Sequence, residues 1–179
     1  KSHPLGSLST RVSRKSDGEA HTVMTISAKS GFVSQVEKYS RDMAGANVAN
    51  YTLLRKGEFA YNKGNSLTYP QGCVFALSQG SALVPNVYFS FALDDCLNAR
   101  FYEHLFAAGY LNRQLARVIN SGVRGNGLLN VSANDFFGVH VPVPNRETQD
   151  RIAATFDLAK TEIDALDRQV ALLRAQNAG

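Results

Sequence analysis

Four histidines and two cysteines are the side chains of this chain best suited to metal or nucleophilic chemistry. Their spacing supports neither. His3, His21, His104 and His140 have no i, i+4 pairing and no cysteine neighbour, and Cys73 and Cys96 lie too far apart for a zinc knuckle. No G-x-S-x-G elbow and no Walker A run occurs. The run SGVRGNG places glycines at 122, 125 and 127, but it follows a helical stretch instead of a strand and so lacks the dinucleotide-fold context. It reads either as a glycine-rich connection or as a loop whose backbone approaches phosphates, with Arg124 and Asn126 as donors.

Two further polar turns carry the same double reading. STRVSRKSDGE holds Arg11, Arg14 and Lys15, and YNKGNSLTY holds Asn62, Lys63, Asn65, Ser66 and Tyr69. Each is a solvated turn on the plain reading. Together they mix phosphate-seeking charge with side chains able to read base edges, and Lys29 adds another cation. Residues 1–144 contain 14 basic and 9 acidic side chains, whereas residues 145–179 contain 5 and 6, so the positive charge belongs to the first part. A chain of 179 residues, 44% hydrophobic, accommodates one domain and an extension. With two apolar cysteines and no long apolar run, a reducing cytoplasm is the expected setting.

The elements that must position these turns read as an α+β fold: a sheet-rich globular part followed by a long helix. Alternation of Val87, Phe89, Phe91 and Leu93 predicts a half-buried strand, and Phe137, Val139, Val141 and Val143 predict another. Shorter strands are expected at 23–28, 58–62 and 73–77, with turns at RKGE and NKGNS. Asp95 is a possible cap for a helical stretch through Phe101, Leu105, Leu111, Leu115 and Val118, broken near Gly109.

The sharpest boundary is Pro142-Val143-Pro144-Asn145. Pro144 ends a strand, Asn145 is a good N-cap, and Glu147 puts negative charge where the helix dipole favours it. Ile152, Phe156, Ala159, Ile163, Leu166, Val170 and Leu173 then recur at spacings of four and three, a heptad seam narrow enough to suit a helical partner. A helix folded back on its own core is the competing reading.

NYTLLRKGEFAYNKG, SGVRGNGLLNVSANDFFGVHVPVP and QDRIAATFDLAKTEIDAL together resemble the specificity subunit of type I restriction-modification systems, over nearly the whole chain. Pro142, Pro144, Gln149, Arg151 and Ile152 match that family's hinge, while Thr148 and Asn145 depart from it. The resemblance implies a target-recognition domain at 1–144 and a spacer or dimerisation helix at 145–179. It implies non-catalytic recognition of half of a bipartite double-stranded DNA target. Methylation, S-adenosylmethionine and cleavage would belong to partner modification and restriction subunits, and no N-P-P-[FY] tetrapeptide is present. Members of the family usually carry two recognition domains and two antiparallel spacer helices, so a partner helix is expected from a longer chain or from a second copy. The rival expectations are an assembly protein acting through the seam alone and an enzyme with a dispersed site.

Overall fold

The computed structural model describes residues 1–27, 30–35, 48–64, 67–78, 80–119 and 128–176. Lys29, Asn65, Ser66, Arg124 and Asn126, five of the residues expected to contact DNA, lie outside the described residues. The strands are β1 (Ser2–Pro4), β2 (Ser9–Arg11), β3 (Thr22–Ser27), β4 (Gly31–Ser34), β5 (Thr52–Arg55), β6 (Phe59–Asn62), β7 (Cys73–Ala76), β8 (Ser81–Val84), β9 (Phe89–Leu93) and β10 (His140–Pro142). The helices are α1 (Ala99–Ala107), α2 (Asn112–Val118), α3 (Ala133–Phe137) and α4 (Arg146–Gln176). Among the described residues, no helix is long and apolar enough to cross a membrane.

Period-two alternation on β6 explains the layering. Phe59 and Tyr61 face one way, into a cluster with Phe91, Phe101, Tyr102, Phe106 and Phe136 from the neighbouring strand and the helices. Ala60 faces the other way, into a second cluster with Ile26, Leu54, Ala82 and Val84. The sheet ordered β2-β9-β6-β7 is therefore a middle layer, between the helices and the sheet ordered β4-β3-β8-β5. A short ladder of β1 with β10 brings the two ends of the body together. The turn RKGE carries the chain from the outer sheet to the middle one, and Gly57 takes the positive φ of 83° that the corner requires.

Burial on both faces changes the reading of β9. Ser90 and Phe91 are both buried, so the strand is enclosed on two sides instead of half-buried, and Val87 lies before it and is exposed. The strand expected to begin at Phe137 is also corrected. Residues 133–137 form α3, because Ser132 and Asp135 close a capping box and start a helix, leaving only His140–Pro142 extended. Asn98, and not Asp95, caps α1, accepting from the Arg100 and Phe101 amides. The break near Gly109 is present, with a φ of 74° between α1 and α2. Segment 9–11, expected within a turn, is strand β2 paired antiparallel to β9.

The terminal helix starts where its cap predicts. The Thr148 amide donates to Asn145 Oδ1 at 2.9 Å, and Glu147 occupies the first turn. At a rise of about 1.5 Å per residue the helix is roughly 45 Å long.

Candidate nucleic-acid interface and helix seat

The described basic residues separate into two groups. Arg11 is exposed at the end of β2, its guanidinium 5.5 Å from the centre of the Phe137 ring. Lys63 follows β6, its ammonium 4.8 Å from the centre of the Phe89 ring. The Phe89 and Phe137 rings are 6.4 Å apart, so two cations rest on one aromatic surface. The Leu129 amide donates to the Lys63 carbonyl at 2.8 Å, and Gly64 bridges Leu128. The turn after Lys63 and the residue that follows segment 120–127 are thus joined, although Lys63 and Leu128 are 65 positions apart in sequence.

Arg14 and Lys15 belong elsewhere. The Arg14 guanidinium holds both Glu58 oxygens, at 2.9 and 3.2 Å, and donates to the Leu53 carbonyl at 2.9 Å. Its hydrogen bond to Glu58 raises its pKa against the opposing effect of burial. The Arg14 fork is thus occupied in tying the segment after β2 to β5 and to the turn before β6, and its charge is matched by Glu58, which weighs against the expected phosphate contact. Lys15 is exposed and donates to the Asn50 carbonyl at 3.2 Å. Tyr69 is half-buried, its ring set edge-on to Phe75 at 6.3 Å against the second core cluster, which makes it a packing residue. Leu67, in the same turn and fully exposed, was not among the expected contacts.

His21 lies between Ser81 Oγ, 2.8 Å from Nδ1, and Asp17 Oδ1, 2.7 Å from Nε2. The residue types are those of a nucleophilic triad, but that triad's carboxylate is buried, and Asp17 is 47% exposed. The string ties β8 to the turn before β3. Burial raises the Cys73 thiol to about 11, holding it protonated and inert at neutral pH.

The seat of α4 forms a separate polar cluster, away from these loops. Gln149 is 2% exposed; its Oε1 accepts from the Asn98 amide and its Nε2 donates to the Pro144 carbonyl, both at 2.9 Å. Asn98 Nδ2 and Arg146 Nε both donate to Asp150, holding its pKa below the usual carboxylate range. Further along, Asp157 accepts from Arg100, and His104 Nε2 lies 2.7 Å from Asp157 Oδ1. The Arg100 hydrogen bond lowers the Asp157 pKa, against a smaller opposing effect of burial. Arg100 also pairs with Glu103. Buried Tyr102 donates to the Pro142 carbonyl at 3.0 Å, and burial raises its pKa to about 12. Gln149 had been legible as part of a hinge. Arg100, His104 and Asp157 had not, because only the fold brings them together.

The seam is divided. Ile152 is half-buried against the body's own core, and the Phe156 ring lies 5.4 Å from the His104 ring. Both residues, expected to meet a partner helix, therefore make contacts within the chain, Ile152 with part of its surface and Phe156 on one side. Ala159, Ile163, Leu166, Val170 and Leu173 remain exposed, joined by Leu158 and Leu172 outside the expected stripe.

A layered α+β body bearing one long terminal helix defines the class of fold. Solved structures share it, among them the following two. One is a chain from a study of the structural basis of complex assembly and conformational transition in the type I R-M system, with a TM-score of 0.62, 15% identity, and coverage of 98% of this chain and 42% of that one. The other is the HsdS subunit from Thermoanaerobacter tengcongensis, with a TM-score of 0.56, 16% identity, and coverage of 94% of this chain and 39% of that one. The chain has an HsdS-like fold and spans about two fifths of the length of each structure. No protein-family model matches the sequence. No curated protein matches it.

Proposed function

We propose that this chain is one half of a type I restriction-modification specificity unit, in which residues 1–144 recognise one part of a bipartite double-stranded DNA target. Residues 145–179 serve as the spacer and pairing helix. The observation that carries this reading is the likeness to the HsdS subunit along 94% of this chain but only 39% of that one, as expected of a single recognition unit and a single helix. Arg11 and Lys63, set on one aromatic surface beside the joined ends of two polar segments, are the described cations best placed to meet phosphates. Lys29, Asn65, Ser66, Arg124 and Asn126 are proposed contacts on sequence grounds.

In this reading the chain performs no chemistry. Adenine methylation, with its S-adenosylmethionine, and cleavage reside in modification and restriction subunits that assemble on it in the cytoplasm. The exposed stripe from Ala159 to Leu173 receives the second helix, supplied by the remainder of a longer chain or by another copy. A protein that only dimerises would use the same stripe, and DNA selection separates the two. Selection of duplexes from a random pool should enrich a defined half-site, with binding that weakens steeply as salt rises. Enrichment of no sequence would overturn the proposal and leave the assembly reading.

A further inference from the structure

A rod held only at its base can swing, whereas one held again further along has a direction, and α1 meets α4 at two levels. The first is at the cap, where the Asn98 amide donates to buried Gln149. The second is Asp157, about 12 Å further along the rod. There Arg100 donates through Nε at 3.4 Å and also through Nη2, with His104 against the same carboxylate at 2.7 Å. From Leu158 to Gln176 every residue except Ala165 is exposed, and among the described residues Asp157 makes the outermost polar contact between the body and the rod.

We infer that Asp157, acting through Arg100 and His104, is the positioning residue that sets the direction of α4 and thereby the spacing between half-sites that an assembled complex accepts. The spacing part rests on the proposed function; the direction part does not. The lever is long. From Ala153, the last buried residue of the base, to Gln176 the helix extends about 34 Å, so a tilt of about 6° about that base displaces its far end by about 3.4 Å, one base-pair step. The base of the rod, held at Gln149, Asp150, Ile152 and Ala153, spans only about 6 Å along the axis, so the restraint on its angle is set chiefly by the contact furthest out. Exposure of the Asp157 pair makes it weak as a stabilising contact. Its contribution is angular.

The test has two arms. In the first, the complex assembled with its modification subunits binds duplexes whose selected half-sites are separated by spacers lengthened one base pair at a time. The unsubstituted protein should prefer one spacer by about tenfold or more, and Asp157→Ala should reduce that preference to about threefold or less with the half-site bases unchanged. Asp157→Glu, which keeps the charge, should restore a sharp preference. A folded Asp157→Ala complex with the original spacer profile would overturn the inference, whereas failure of the unsubstituted protein to select any half-site would instead overturn the proposed function.

The second arm needs no DNA. Spin labels at Glu19→Cys and Ala175→Cys, with Cys96→Ser to remove the exposed thiol, report the distance between body and rod tip. That distribution should be narrow and should broaden in Asp157→Ala; an unchanged distribution sinks the inference. Arg100→Gln, which removes the other side of the contact, carries both arms if Asp157→Ala does not fold.

Discussion

Replacing Gln149 by leucine keeps nearly the same volume and removes both ends of the latch. The Asn98 amide loses its acceptor and the Pro144 carbonyl loses its donor, at a position where the side chain is 2% exposed. An unsatisfied buried group costs about 1–3 kcal/mol. Both orphaned groups are only half-buried, so water reaches them in part, and the expected sum is about 2–4 kcal/mol. For a chain of this size each kcal/mol moves the melting midpoint by roughly 2–4 °C, which gives a fall of about 4–16 °C.

Thermal unfolding followed by circular dichroism, with urea titration as a check on the slope, measures this directly. Gln149→Glu sharpens the test. Its carboxylate still accepts from Asn98 but has no proton for Pro144, so its deficit should shrink as the pH falls and the carboxyl becomes protonated. A loss below about 1 kcal/mol in Gln149→Leu, or a Glu variant whose deficit does not change with pH, would refute the latch.

Arg14→Ala should lower stability by about 1–2 kcal/mol, discounted for partial exposure of its pair with Glu58, and leave the salt dependence of DNA binding unchanged. Arg11→Ala with Lys63→Ala should reduce the slope of log affinity against log salt by about 2 in binding titrations, with little effect on folding. Because the Asp157 carboxyl is depressed in the folded protein, its contribution is complete above the ordinary carboxylate range and is lost as the pH falls through its lowered value. The acid limb of a melting-temperature profile should therefore be shallower in Asp157→Asn than in the unsubstituted protein. Leu166→Asp, at a position 53% exposed, should leave the stability within about 0.5 kcal/mol of its original value in the absence of a partner helix. If copies pair through this stripe, light scattering should show the variant shifted to monomer.

Several parts of this molecule were determined by residues close in sequence. Asn145 and Glu147 mark the start of α4, the recurring apolar positions mark its length and the stripe it presents, and Gly109 marks the break between two helices. A cap or a turn needs only the next three or four residues to satisfy its hydrogen bonds, so its signal survives without the fold. The same locality explains the failure at Phe137. Alternating apolar residues from 137 to 143 suit a strand, but the Ser132–Asp135 box had already committed the first of them to a helix.

The tertiary structure decided which charges remain available and which are occupied. Arg11 and Arg14 are three residues apart and alike in chemistry, yet one lies over an aromatic ring at the surface and the other is held by Glu58, 44 positions away. Arg100 and Asp157 are separated by 57 positions and meet because α1 and α4 lie side by side. Neither partner lies within a local window, and a side chain's charge becomes a contact or a free cation only through what the rest of the chain brings to it. The direction of the terminal helix depends on the same kind of information: its sequence determines that it is a rod, and the residues of another helix determine where the rod points.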